Sequence, residues 1–188
     1  GVGIGVVKTL EKKGIISYSL EKVYRNPYKK YENQNNSANV NLNNEQTLAY
    51  NSILKKYNQN KYHVSLLYGV TGSGKTSVFM KLIDHVYKDG KSIILMVPEI
   101  ALTSQIILTF KSRFGDKVAV FHSGLSAGER MDEFKRVQNG EATIVIGTRS
   151  AVFTPVKNLG LIVMDEEQEY SYKSDSTPRY HARDIAKY

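Results

Sequence analysis

The tightest constraint on this chain is the eight-residue run GVTGSGKT, Gly69 to Thr76. It satisfies G-x-x-x-x-G-K-[ST] and stands between an apolar run, HVSLLY, and a helical pattern, SVFMKLIDHVY, the strand-loop-helix setting that the pattern needs. Gly69, Gly72 and Gly74 permit dihedrals and close approaches that a Cβ blocks, so the backbone N–H groups of the loop, those of Thr71 and Ser73 included, can wrap phosphates. Lys75 adds a point charge for the β and γ phosphates. Thr76, in the first helical turn, offers its hydroxyl to Mg²⁺, and the helix N-terminus adds a partial positive charge. A glycine-rich turn without a ligand is the plain alternative, and the placement argues against it.

A phosphate loop of this kind works with a carboxylate at the end of a neighbouring strand, and LIVMDEEQ supplies one at Asp165. Asp165 is expected to hold Mg²⁺ and Glu166 to polarise the attacking water as general base. ATP and Mg²⁺ are therefore the expected cofactors.

From Leu42 onward, runs rich in β-branched residues alternate with helical patterns: HVSLLYG, SIILMVP, KVAVFHS, ATIVIGT and LGLIVMDE as strands, with helices between them. Strands this continuously apolar belong to a parallel sheet covered on both faces, so the fold class is α/β, a three-layer P-loop sandwich. Residues 29–41 are polar, Asn-rich and without period, the composition of a linker. Residues 1–28 pair a short amphipathic stretch, a turn at Gly14 and an alternating segment, a helix-then-wing pattern too short to bury a core.

The formal charge of +8 suits a polyanionic partner but is too modest to identify one. The chain has no cysteine, which excludes disulfides and Cys-ligated zinc within it and fits a reducing compartment, so cytoplasm is expected. No apolar run approaches the ~20 residues that span a bilayer, and a membrane role is not expected.

What surrounds the phosphate loop narrows the class. In order, GVTGSGKT, VPEIALTSQ, FHSGLS, IVIGTRSAVFTP, LIVMDEEQ and PRYHARD resemble the PriA family of primosomal replication-restart helicases, also called primosomal protein N′. The resemblance runs from about residue 42 to the end, as most of a first RecA-like lobe, and residues 1–28 resemble the last part of that family's winged-helix domain. It implies a 3′-to-5′ superfamily 2 DNA helicase that reloads replication at stalled forks. Branched or forked DNA with a single-stranded segment would be its partner, alongside other primosome proteins and single-stranded DNA-binding protein.

The resemblance also implies roles for single residues. Gln46, in LNNEQ upstream of the phosphate loop, looks like a Q-motif whose amide pairs with adenine N6 and N7. Thr103, Thr148, Arg149 and Ser150 follow strands and offer donors to the phosphates of single-stranded DNA. EYSYKSDSTPRYHARD interleaves Tyr170, Tyr172 and Tyr180 with Lys173, Arg179 and Arg183, and resembles the family's aromatic-rich loop that senses DNA. Tyr172, Lys173 and Arg179 are its expected DNA contacts, with about half the tyrosines packing the loop down. His122 and His181 lack partners at metal-ligand spacing and are read as structural.

One position departs from the family: the fourth residue of the acidic motif is Gln168 where histidine is usual, which puts the coupling of hydrolysis to DNA in question. No second lobe and no arginine finger can be identified before Tyr188, so the chain alone is expected to bind nucleotide and hydrolyse it feebly. The family's zinc module would lie beyond this point. Another superfamily 2 translocase, a nucleotide-dependent DNA-binding module that does not unwind, and a small-molecule kinase are the competing readings.

Overall fold

A computed structural model of the chain describes residues 3–17 and 40–188. In the first of these stretches a helix, α1 (Ile4–Lys12), ends in a turn at Gly14, where φ is +68°. The alternating segment from residue 18 onward and most of the Asn-rich linker lie outside the described residues.

Four parallel strands form the sheet: β1 (Ser92–Met96), β2 (Val118–Phe121), β3 (Ile144–Gly147) and β4 (Leu159–Met164), in the order β2-β3-β1-β4. The helices are α2 (Asn44–Tyr57), α3 (Lys75–Lys88), α4 (Ser104–Phe114), α5 (Ala127–Asn139) and a short α6 (Ala182–Ala186). A two-stranded antiparallel ribbon, β5 (Lys173–Ser174) with β6 (Tyr180–His181), precedes α6.

The period of two along a strand sorts the core into two layers. Ile93, Leu95 and Val97, Val118 and Val120, and Ile144 and Ile146 pack on one face with Phe79, Met80, Ile83 and Val86 of α3 and Ile107, Phe110 and Phe114 of α4. Ile94, Met96, Ala119, Phe121 and Val145 pack on the other with Val137 of α5, Ala151, Tyr172 and Ala182. Helices and loops thus cover both faces, as the apolar strands require, and each fully buried aliphatic side chain contributes about 1.5 to 3 kcal/mol. Helix α2 packs outside this layer against α3.

The β2 edge is protected by two buried side chains of α5. Glu133 Oε2 accepts from Val120 N at 3.0 Å, and Arg136 Nη1 donates to Glu133 Oε1 at 2.7 Å while its other nitrogen donates to the Asp116 carbonyl. The ion pair takes the place of a neighbouring strand, meeting backbone groups that an edge would otherwise offer to another chain.

The run HVSLLYG corrects one expectation. HVSLLYG forms no strand: its residues join neither β4 nor β2, and Val64, Leu66 and Tyr68 are 61%, 79% and 92% exposed. A strand exists through its ladder, and an apolar run without a hydrogen-bonded neighbour has nothing to hold it extended. The phosphate loop therefore keeps its helix but not its expected strand.

Candidate nucleotide site

Helix α3 starts at Lys75 with Gly74 as its cap at φ +80°, a left-handed conformation that a β-carbon disfavours. Gly72 has the same geometry at φ +81°, and the Ser73 N–H donates to the Val70 carbonyl at 3.1 Å, closing the turn. Lys75 Nζ donates to the carbonyls of Gly69 at 2.8 Å and Val70 at 3.3 Å. Those are neutral acceptors, and an anionic phosphate oxygen is the stronger partner for an ammonium group. Thr71 and Thr76 are exposed beside it.

Gln46 sits on this loop. Its Oε1 accepts from Asn43 N at 2.9 Å and its own N–H donates to Asn43 Oδ1 at 2.8 Å, the reciprocal box that starts α2. Its Nε2 donates to the Ser73 carbonyl at 2.9 Å. The amide expected on adenine is thus engaged by a helix cap and by the loop, which leaves one lone pair of Oε1 and one N–H of Nε2 for a base.

Asp165 leaves the end of β4, with its N–H donating to the Met96 carbonyl at 2.9 Å. Burial first, and then the charge of Glu166, push its carboxyl above the usual aspartate range, while the Glu166 N–H and Lys75 pull it back. Glu166 follows at φ +48°, uncommon for a residue with a β-carbon. Its Oε2 accepts from Gln168 Nε2 at 2.6 Å, so the residue that departs from the family rests on the expected base. Arg183 pairs with Glu167.

These residues fit a Mg²⁺ ion shared with a nucleotide. Among the described residues no three acidic or histidine side chains form a group that could hold a metal by themselves. Mg²⁺ bound through phosphates needs only one or two protein oxygens, here Thr76 and Asp165, and a carboxyl raised by burial and a like charge is relieved by a cation.

The residues expected to touch DNA do not behave alike. Thr103 caps α4, its hydroxyl accepting from Ile106 N at 3.4 Å. Thr148 is buried and lines a cleft with Glu99, Leu102, Ser104, His122 and Ser123. The sequence does not mark Ser104, His122 and Ser123 as contacts; the signal for the last two is that FHSGLS follows β2 as the other motifs follow their strands. Arg149 Nη1 donates to the Lys173 carbonyl at 2.6 Å, and Ser150 and Arg179 are exposed. Lys173 Nζ lies 3.8 Å from Asp175 and 5.4 Å from the Tyr170 ring centroid.

Tyr172 is a correction: it is 0% exposed and packed in the core, where no base can stack on it. Tyr180 packs edge-on against Phe153, whereas Tyr170 is exposed. His122 Nδ1 accepts from Gly124 N at 3.1 Å and His181 Nδ1 from Arg183 N at 3.2 Å, local turn and cap bonds.

The profile of the DEAD/DEAH box helicases matches residues 43–186. The chain is 46% identical over 180 residues to the Replication restart protein PriA of Bacillus subtilis, covering 96% of this chain and 22% of that protein. Identity is 53% over 126 residues to the Synechocystis protein of the same name, 66% of this chain and 15% of the relative. For the Haemophilus influenzae one it is 42% over 166 residues, 88% of this chain and 22% of the relative. The chain thus spans about a fifth of the length of these relatives.

Proposed function

Because this chain belongs to the DEAD/DEAH box helicase family, we propose that it forms the ATP- and Mg²⁺-binding lobe of a 3′-to-5′ superfamily 2 DNA helicase acting in replication restart and primosome assembly. The observation that carries this reading is the placement of Lys75 at the start of α3, behind the left-handed turn at Gly72 and Gly74, and of Asp165 directly after β4. Strand ends and the starts of the helices that follow them share one side of a parallel sheet, where a cation for phosphate and a carboxylate for metal serve a single site.

In this reading the amides from Gly69 to Thr76 and Lys75 orient the β and γ phosphates, and Thr76 and Asp165 hold the metal. Mg²⁺, when bound, neutralises charge on the phosphate oxygens. Glu166 takes a proton from the attacking water, with one oxygen already bonded to Gln168. The strand-end cleft at Thr148, with Arg149, Ser150, Lys173 and Arg179, takes the backbone of single-stranded DNA, where phosphate contacts position without reading sequence. The names of the relatives support the setting in replication restart, and forked DNA and other primosome proteins are the partners proposed with it. Zinc belongs to the longer protein.

A second reading, a nucleotide-dependent DNA-binding module that does not unwind, is favoured by Gln168, which stands where the family usually has histidine and bonds Glu166. DNA-stimulated hydrolysis by the full-length protein excludes it.

The test is binding of a fluorescent ATP analogue with Mg²⁺ by the wild type and by Lys75→Ala, each with and without single-stranded DNA. Loss of binding in the variant and a DNA effect on the wild type are expected. Equal binding by both proteins would remove Gly69 to Thr76 as the phosphate site.

A further inference from the structure

The phenol of Tyr172 is completely buried, although its segment is polar and its neighbour Tyr170 is 66% exposed. Packing alone has no use for a buried hydroxyl, which is unfavourable unless bonded. This one lies 2.6 Å from the Asp165 carbonyl and 3.0 Å from the Met96 carbonyl, and Met96 also accepts from Asp165 N at 2.9 Å. The single proton of the hydroxyl serves the nearer Asp165 carbonyl, with the Met96 carbonyl at its flank, so the Asp165 backbone is held at both N–H and C=O where β4 ends.

The Asp165 carbonyl belongs to the peptide that leads into Glu166, whose φ of +48° must be held by its surroundings. On its other side, Tyr172 is followed by the Lys173 carbonyl, which accepts from Arg149 Nη1 at 2.6 Å. A chain of bonds thus runs from Arg149 through the Tyr172 segment to the acidic pair.

We propose that Tyr172 is a positioning residue: its hydroxyl holds the Asp165 carbonyl and thereby sets the Asp165 and Glu166 side chains toward metal and water. The inference rests on the nucleotide-site reading above. Tyr172 touches neither metal nor nucleotide in it.

The test is nucleotide-analogue binding by this chain titrated with Mg²⁺, and repeated in chelator, for wild type, Tyr172→Phe, Arg149→Ala and Asp165→Asn. Tyr172→Phe is expected to bind nucleotide normally in chelator but to need about tenfold more Mg²⁺, the low end for partners that orient metal ligands. Arg149→Ala, which removes a half-exposed support and no buried group, should shift the same way by less. Asp165→Asn should lose the Mg²⁺ effect. If it keeps that effect, the metal reading fails, independently of Tyr172. A cooperatively melting Tyr172→Phe with an unchanged Mg²⁺ requirement, or with equal weakening in both conditions, overturns the positioning role. If that variant does not fold, an unchanged requirement in Arg149→Ala overturns it.

Discussion

Gln46 and Ser73, 27 residues apart in the chain, are joined by a 2.9 Å hydrogen bond from the Gln46 amide to the Ser73 carbonyl. The contact leaves no room at the next residue: a β-carbon added at Gly74 would lie 2.3 Å from Gln46 Nε2, at a φ of +80° that L side chains rarely adopt. Helix α2 is thus tied to the loop that starts α3.

Gly74→Ala should therefore cost about 1 to 2 kcal/mol in backbone strain and displace the Gln46 amide. Nucleotide-analogue binding should weaken, while Gln46→Ala, which frees the loop without strain, should weaken it less. Calorimetric titration of both variants checks the order.

Proton and Mg²⁺ compete for Asp165, whose carboxyl is raised first by burial and next by Glu166. Mg²⁺-dependent nucleotide binding should therefore fail at a higher pH than for an ordinary aspartate as pH is lowered from about 7.5 to about 5. A carboxyl raised in the folded state contributes stability at low pH and loses it as pH rises through its folded pKa. Asp165→Asn should accordingly melt higher than wild type at neutral pH, and the difference should shrink on acidification. Thermal melts across that range would show it.

Breaking the Glu133–Arg136 pair should be costly, because both side chains are less than 10% exposed and Glu133 also accepts from Val120 N. Glu133→Ala leaves the Arg136 charge and an edge N–H without their carboxylate, and should cost about 3 to 5 kcal/mol in urea unfolding. A paired replacement, Glu133→Leu with Arg136→Met, should recover much of the loss while leaving the β2 edge less protected, visible as concentration-dependent association.

Tyr57 donates to Asp89 Oδ2 at 2.9 Å, and burial, with this bond and the Asp89 charge, raises its phenol from 10.0 to about 12. A raised pKa means stability present below 10.0 and lost progressively as pH climbs to about 12, because the unfolded chain ionises first. Tyr57→Phe should lack this alkaline loss. Comparing the two melting curves against pH isolates it from the other tyrosines.

Much of the layered fold was legible from residue order. β1, β2, β3 and β4 fall inside the apolar runs SIILMVP, KVAVFHS, ATIVIGT and LGLIVMDE, and α3, α4 and α5 match the helical patterns between them. Period and apolarity report whether a segment is buried on one face or two, and that is a local property. The run GVTGSGKT likewise predicts a turn through its glycines, and Gly72 and Gly74 take left-handed backbone, which a residue without a β-carbon permits.

Position decided the rest. HVSLLY reads as an apolar run, as SIILM does, yet only the second has strands on both sides, and a ladder partner cannot be read from the run that lacks one. Tyr170 and Tyr172 share a composition and a loop, but one faces outward and the other bonds the Asp165 carbonyl, seven residues back in sequence, and lies beside Met96, 76 residues back. Sequence alone determined the chemistry available to this chain: a glycine loop, its lysine, and a pair of carboxylates after an apolar strand. Only the tertiary structure decided which groups meet and which are buried, because burial and pairing depend on long-range packing that no local pattern encodes.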